Sequence, residues 1–80
     1  MNVDPWRDCR RRFDQHFTDR MTDRSLPKYQ VERALLEGTK RPLSAHEFRT
    51  GQDYEILWKD WVLKTTLGRC VVILWTAYLT

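Results

Sequence analysis

The chain has 80 residues, 41% of them hydrophobic and 31% charged, with a formal net charge of +3. That length holds one small domain with a thin core, expected to span residues 1–80. Four Trp, three Tyr and three Phe argue against disorder.

Several classes are set aside by composition. The longest apolar stretch, residues 70–79, has ten residues, where a membrane-spanning helix needs about 20. Asp4, Arg7, Asp8 and Arg10 to Arg12 leave no apolar core for a signal peptide near the start. Two cysteines without CxxC spacing fit neither a disulfide scaffold nor a zinc ribbon. The expectation is a cytoplasmic protein with reduced thiols, no metal, no cofactor and no membrane association.

Charge is unevenly distributed along the chain. Residues 1–53 carry 20 charged side chains and 16 apolar ones, whereas residues 54–80 carry 5 and 17. The front half therefore reads as amphipathic helices and the back half as the sheet they cover.

Asp4-Pro5 is a helix start, with Asp as N-cap and Pro in the first turn. Trp6, Cys9, Phe13, Phe17 and Met21 recur at three- and four-residue steps, which predicts one helix over 4–22. Asp8/Arg12 and Arg10/Asp14 would then be i,i+4 ion pairs on its solvent side. Ser25-Leu26-Pro27 opens a second helix over 27–37, burying Val31, Ala34 and Leu35. Gly38 is expected to end it in a left-handed cap. Residues 39–46 read as a loop held by Pro42.

Residues 47–79 read as sheet. Glu47 to Thr50 is a candidate edge strand. Tyr54, Ile56 and Trp58 alternate with Glu55, Leu57 and Lys59, and the alternation changes phase at Lys59-Asp60, marking a turn or bulge. Leu67-Gly68-Arg69 reads as the turn into a last strand from Cys70 to Tyr78. Apolar on both faces, that strand belongs in the sheet interior. The expected fold is α+β, with two N-terminal helices on one face of a three- to four-stranded antiparallel sheet.

Arginine outnumbers lysine ten to four. Its planar fork binds phosphate bidentately, and it is less strongly hydrated than an ammonium group. On a helical wheel His16 and Arg20 lie beside the stripe centred on Phe13 and Phe17, aimed at the helix–sheet junction. Arg24 lies one turn further on. In a regular last strand Thr76 and Tyr78 share a face. If the helices cover that face, His16, Arg20, Thr76 and Tyr78 converge.

Such a group suits metal-free RNA cleavage. A ribose 2′-hydroxyl attacks the adjacent phosphorus and the 5′-oxygen leaves. A His transfers protons near neutral pH, and an Arg stabilises charge building on the phosphate oxygens. Thr and Tyr hydroxyls orient the phosphate or relay a proton. Arg24, Arg10, Arg11 and Lys59 would bind the RNA backbone, while Trp58 and Trp61 either stack on bases or pack in the core.

His16, Arg20, Met21 and Arg24, followed by Leu26, Val31, Ala34-Leu35 and Gly38, resemble domain-of-unknown-function family 4258. Its helix pattern is H-x-x-x-R-M-x-x-R-x-[IL], and its closing strand ends near Thr-Ala-Tyr, here Thr76-Ala77-Tyr78. The resemblance runs from about His16 to Tyr78. The family is similar to the RelE and BrnT toxins and to compact ribonucleases of toxin–antitoxin and contact-inhibition systems. The resemblance implies a curved sheet under two helices, RNA as substrate, a small antitoxin protein as partner, and a site at His16, Arg20, Thr76 and Tyr78. The chain departs from RelE-type toxins in being much less basic.

The expected function is a metal-independent RNA endonuclease, a toxin of a toxin–antitoxin or mobile-element system. The alternative is a non-enzymatic protein-binding accessory module of a mobile element or phage, in which aromatic and Arg side chains form an interface.

Overall fold

The structure, a computed structural model, describes residues 4–43 and 52–80. The order is α1 (Pro5–Asp8), β1 (Arg10–Phe13), α2 (Gln15–Asp23), α3 (Lys28–Glu37), β2 (Thr39–Leu43), β3 (Asp53–Trp58), β4 (Trp61–Gly68) and β5 (Val71–Leu79). The class is α+β. The candidate strand at 47–50 lies outside the described residues.

The single helix expected over 4–22 is instead two helices with a strand between them. Asp4 does cap α1, accepting from the Trp6 N–H at 3.0 Å, but α1 ends at Asp8 and Cys9 is extended. A second N-cap, Asp14, accepts from the His16 N–H at 3.1 Å and starts α2. Between the caps, β1 pairs parallel to β5, with Arg10 opposite Val71 and Phe13 opposite Leu74. The i,i+4 pairs expected of Arg10 and Arg12 therefore do not form.

The sheet has five strands in the order β1-β5-β4-β3-β2. It is mixed rather than antiparallel, because β1 runs parallel to β5. The remaining pairs are antiparallel. β2 occupies part of the expected 39–46 loop. It is an edge strand, and an edge strand tolerates the missing donor of Pro42.

α2 ends in a Schellman arrangement. Leu26 N–H donates to Met21 O at 2.9 Å and Ser25 N–H to Thr22 O at 3.4 Å. Ser25 takes the left-handed conformation, φ 54°, that this closure requires.

α3 follows the expected bounds closely, but Gly38 is not left-handed: its φ is −69°. Glycine is required there by close approach. An added Cβ would lie 2.6 Å from Ala34 O, 2.7 Å from Ile56 Cγ2 and 2.9 Å from Leu57 O. Two of these are backbone atoms that cannot swing aside. Gly38→Ala is expected to cost about 1–3 kcal/mol by overpacking the α3–β3 junction, read as a lower urea midpoint with an unchanged m-value.

The phase change at Lys59-Asp60 is a two-residue hairpin turn, with Trp58 opposite Trp61 and Lys59 at φ 54°. The next turn sits slightly later than expected, at Arg69-Cys70, with Gly68 opposite Val71 and Cys70 at φ 46°.

Phe17 of α2 and Val31, Ala34 and Leu35 of α3 enter one core with Ile56, Leu63, Val72 and Leu74. Both helices therefore cover the same sheet face. Trp58 and Trp61 pack against this core, and Trp58 Nε1 donates to Gln30 Oε1 at 3.1 Å.

β5 is interior, as expected, up to the point where β1 stops. Its alternation is broken by a bulge. Lys64 pairs with Thr76 and the next residue, Thr65, pairs with Leu74, so Trp75 is the extra residue. Before the bulge, Val72 and Leu74 face the core; after it, Ala77 does. The Trp75 indole donates to Thr66 Oγ1 at 2.7 Å, and the Thr66 hydroxyl donates to the buried Asp53 carboxylate. This polar trio on the sheet's second face holds the bulged residue.

Candidate nucleic-acid interface

The bulge decides where the expected site residues lie. Thr76 and Tyr78 stand opposite Lys64 and Val62, whereas Leu63, between those two, is in the helix-covered core. Thr76 and Tyr78 therefore project from the face away from the helices. The condition for convergence, that their face be the helix-covered one, is not met. Thr76 is half-buried and Tyr78 is exposed.

His16 and Arg20 sit one turn apart on α2, in the stacked arrangement expected of them. His16 is exposed to solvent rather than aimed at the helix–sheet junction as expected, because it lies on the outer side of α2 from the buried Phe17, and Arg20 is half-buried. The Asp14 cap bonds the His16 backbone and leaves its ring free. Among the described residues no hydrogen bond, ion pair or ring contact joins His16 or Arg20 to Thr76 or Tyr78. The structure thus pairs the two α2 residues on one side and the two β5 residues on the other.

The four residues expected to bind RNA also separate. Strand β1 alternates, so Arg10 and Arg12 are exposed while Arg11 turns toward α3. Arg11 Nε lies 3.3 Å from Glu32 Oε1. Its Nη1 donates to Cys9 O at 2.7 Å and Pro5 O at 3.3 Å, and its Nη2 to Trp6 O. Every part of that guanidinium is occupied in closing α1 onto α3, so it is not available as a surface cation. Lys59 lies over the Trp58 ring, 5.2 Å from its centroid. It is in the β3–β4 turn, at the other end of the sheet from Arg10 beside the β4–β5 turn.

Ion pairing leaves a definite residue of charge. Arg7 pairs with Asp4, Arg11 with Glu32, Arg33 with Glu37 and Arg41 with Glu55. Lys28 and Lys40 lie over the rings of Phe13 and Trp6, and desolvation lowers the Lys40 pKa from its usual value. Among the described residues, the guanidiniums of Arg10, Arg12, Arg20, Arg24 and Arg69 have no such partner. Arg10 and Arg12 belong to β1, Arg20 and Arg24 to the helix that follows it, and Arg69 to the turn beside Arg10. A shallow depression of about 240 Å³ is lined by Arg10, Arg11, Arg12 and Val71.

Arg69 was not singled out by sequence reasoning. Its signal would have been the parallel β1–β5 pairing, which no local pattern announces. Among the described residues no group of three His, Cys, Asp or Glu side chains is disposed to hold a metal ion. No helix among them is long and apolar enough to cross a membrane. No protein-family model matches the chain, and neither a curated protein nor a solved structure matches it significantly.

Proposed function

We propose that this chain is a small RNA endonuclease of the RelE/BrnT-like kind, acting as a toxin in a toxin–antitoxin or mobile-element system. The observation that carries the reading is the exposed imidazole of His16 beside the unpartnered guanidiniums of Arg20 and Arg24 on α2, with Arg10 and Arg12, also unpartnered, on the other face of the sheet at its β1 edge. Arg7, Arg11, Arg33 and Arg41 are held in ion pairs, whereas these guanidiniums form none among the described residues and stay available to phosphate, with Asp14, Asp19 and Asp23 also on or beside α2.

In this reading His16 takes the proton from the ribose 2′-hydroxyl as that oxygen attacks phosphorus. Arg20, one turn away, offsets the charge on the non-bridging oxygens. The P–O5′ bond breaks, leaving a 2′,3′-cyclic phosphate and a 5′-hydroxyl end. Arg24 extends the clamp along α2, and Arg10 and Arg12 hold the flanking backbone. Thr76 and Tyr78 leave the proton-transfer set, and the exposed Tyr78 becomes a stacking surface on the sheet face away from the helices. Arg11 and Lys59 leave the RNA-binding set.

The test is incubation of labelled RNA with purified protein in chelator, with the ends mapped. Cyclic-phosphate products are expected. Arg10→Ala/Arg12→Ala is expected to weaken RNA binding evenly across sequences and to lower the slope of log K against log salt by roughly 2. RNA that survives intact defeats the proposal.

A second reading, a protein-binding accessory module, is favoured by one observation. Leu57, Val62 and Tyr78 lie in a row on the sheet face away from the helices, paired Leu57↔Val62 and Val62↔Tyr78, with Leu57 and Tyr78 exposed and Val62 buried between them. Intact RNA together with a specific partner whose capture is lost in Tyr78→Ala would select it.

A further inference from the structure

Cys9 and Cys70 are the chain's two cysteines, 61 positions apart. Cys9 ends α1 and precedes β1, and Cys70 is the second residue of the β4–β5 turn. Because Arg10 pairs with Val71, the two cysteines face each other one step beyond the first rung of the parallel ladder. The Arg10 N–H donates to Cys70 O at 3.3 Å, fixing that step. The two Sγ atoms lie 2.6 Å apart and share a hydrogen bond, both as free thiols.

Neither thiol is accounted for by the RNA-cleavage reading. Packing alone does not explain the pair either, because Cys70 is exposed and contributes nothing to the core, while Cys9 is buried. The contact joins one thiol that small reagents can reach to one that they cannot. We propose that Cys9 and Cys70 are a redox-active pair that closes to an intramolecular disulfide, with a low-molecular-weight disulfide such as glutathione disulfide as the co-reactant.

The exposed Cys70 reacts first. Its thiolate attacks one sulfur of glutathione disulfide, the S–S bond breaks, and one glutathione leaves as thiolate and takes a proton from water. Cys70 now carries a mixed disulfide. Cys9 then loses its proton to solvent and attacks Cys70 Sγ, expelling the second glutathione. The two protein thiols are oxidised, and one glutathione disulfide is reduced to two glutathiones. The order agrees with the state of Cys9, whose thiol is pushed up to about 11 by its hydrogen bond to Cys70 and by burial, so it is protonated until Cys70 has been consumed. Closure ties the α1–β1 junction to the β4–β5 turn, between Arg10 and Arg69.

The experiment treats reduced protein with glutathione disulfide, quenches with acid, alkylates, and measures intact mass. The expected product is monomeric, lighter than the reduced protein by two hydrogens, and carries neither glutathione nor alkyl groups. It is expected to melt about 10 °C or more above the reduced form, because the closed loop is long. Cys9→Ser is expected to trap glutathione on Cys70, and Cys70→Ser to remain unmodified. Wild-type protein that retains glutathione on Cys70 with Cys9 alkylated, or that forms disulfide-linked dimers, would overturn the proposal. The wild-type arm does not depend on how either variant folds, and none of the readouts involves RNA.

Discussion

Arg11→Ala is expected to cost the fold about 2–4 kcal/mol, by removing a charged donor that serves a carboxylate and three carbonyls at once. The side chain is 12% exposed, against 38% for Glu32. Its loss leaves the carbonyls of Pro5, Trp6 and Cys9 without this donor and uncouples α1 and β1 from α3. A domain of this length has a total stability of roughly 4–12 kcal/mol, so the melting temperature should fall by about 10–20 °C. Arg11→Lys is expected to recover only a small part, because a point ammonium cannot reproduce the planar fork. Arg10→Ala and Arg12→Ala, one position either side, should stay within about 0.5 kcal/mol of wild type. If Arg11→Ala unfolds together with Arg10→Ala in urea, the hub assigned to Arg11 is wrong.

His16→Ala is expected to lower the RNA-cleavage rate by about 10²–10⁴-fold while leaving stability unchanged. The ring is exposed, and the α2 N-terminus is held through the His16 backbone by Asp14, so removing the imidazole takes nothing from the fold. Measuring the thermal midpoint beside the cleavage rate separates a chemical role from a structural one. Thr76→Val and Tyr78→Phe distinguish the geometry described here from a four-residue site. Lying on the sheet face opposite α2, each is expected to change the rate by no more than a few-fold. A loss at Thr76 or Tyr78 as large as that at His16 would put them in the chemistry and overturn their removal from the proton-transfer set.

Much of the architecture is legible in local patterns. The Asp4-Pro5 start, the second helix, the Lys59-Asp60 turn and the interior position of the last strand each rest on signals that lie within a few residues. What is not legible depends on distant partners. Strand β1 is four residues long, and Phe13, its apolar inward residue, fits the helical stripe as well as a strand. Only Asp14, a cap residue in the middle of that stripe, hints at a second helix start. The bulge at Trp75 is hidden for a different reason. In a strand apolar on both faces, an extra residue disturbs no visible alternation, yet it reverses every later side chain. That reversal separates Thr76 and Tyr78 from His16 and Arg20. The contact between Cys9 and Cys70 is likewise invisible without the parallel pairing.

The position of β5 has a consequence for how the chain acquires its fold. This strand pairs with β1 on one side and β4 on the other and supplies Val72, Leu74 and Ala77 to the core. Before residues 71–79 leave the ribosome, α2 and α3 have no complete surface to bury their apolar sides, and β1 has no strand to pair with. The earlier elements therefore emerge with their core-facing side chains still wet, and folding waits on the strand made after them. The contacts that finish the sheet close loops of some sixty residues, which places the entropic barrier after residues 71–79 have been made. During that interval the nascent segment is a natural client for chaperones, and a binding partner that engages it cotranslationally would meet an open sheet rather than the finished domain.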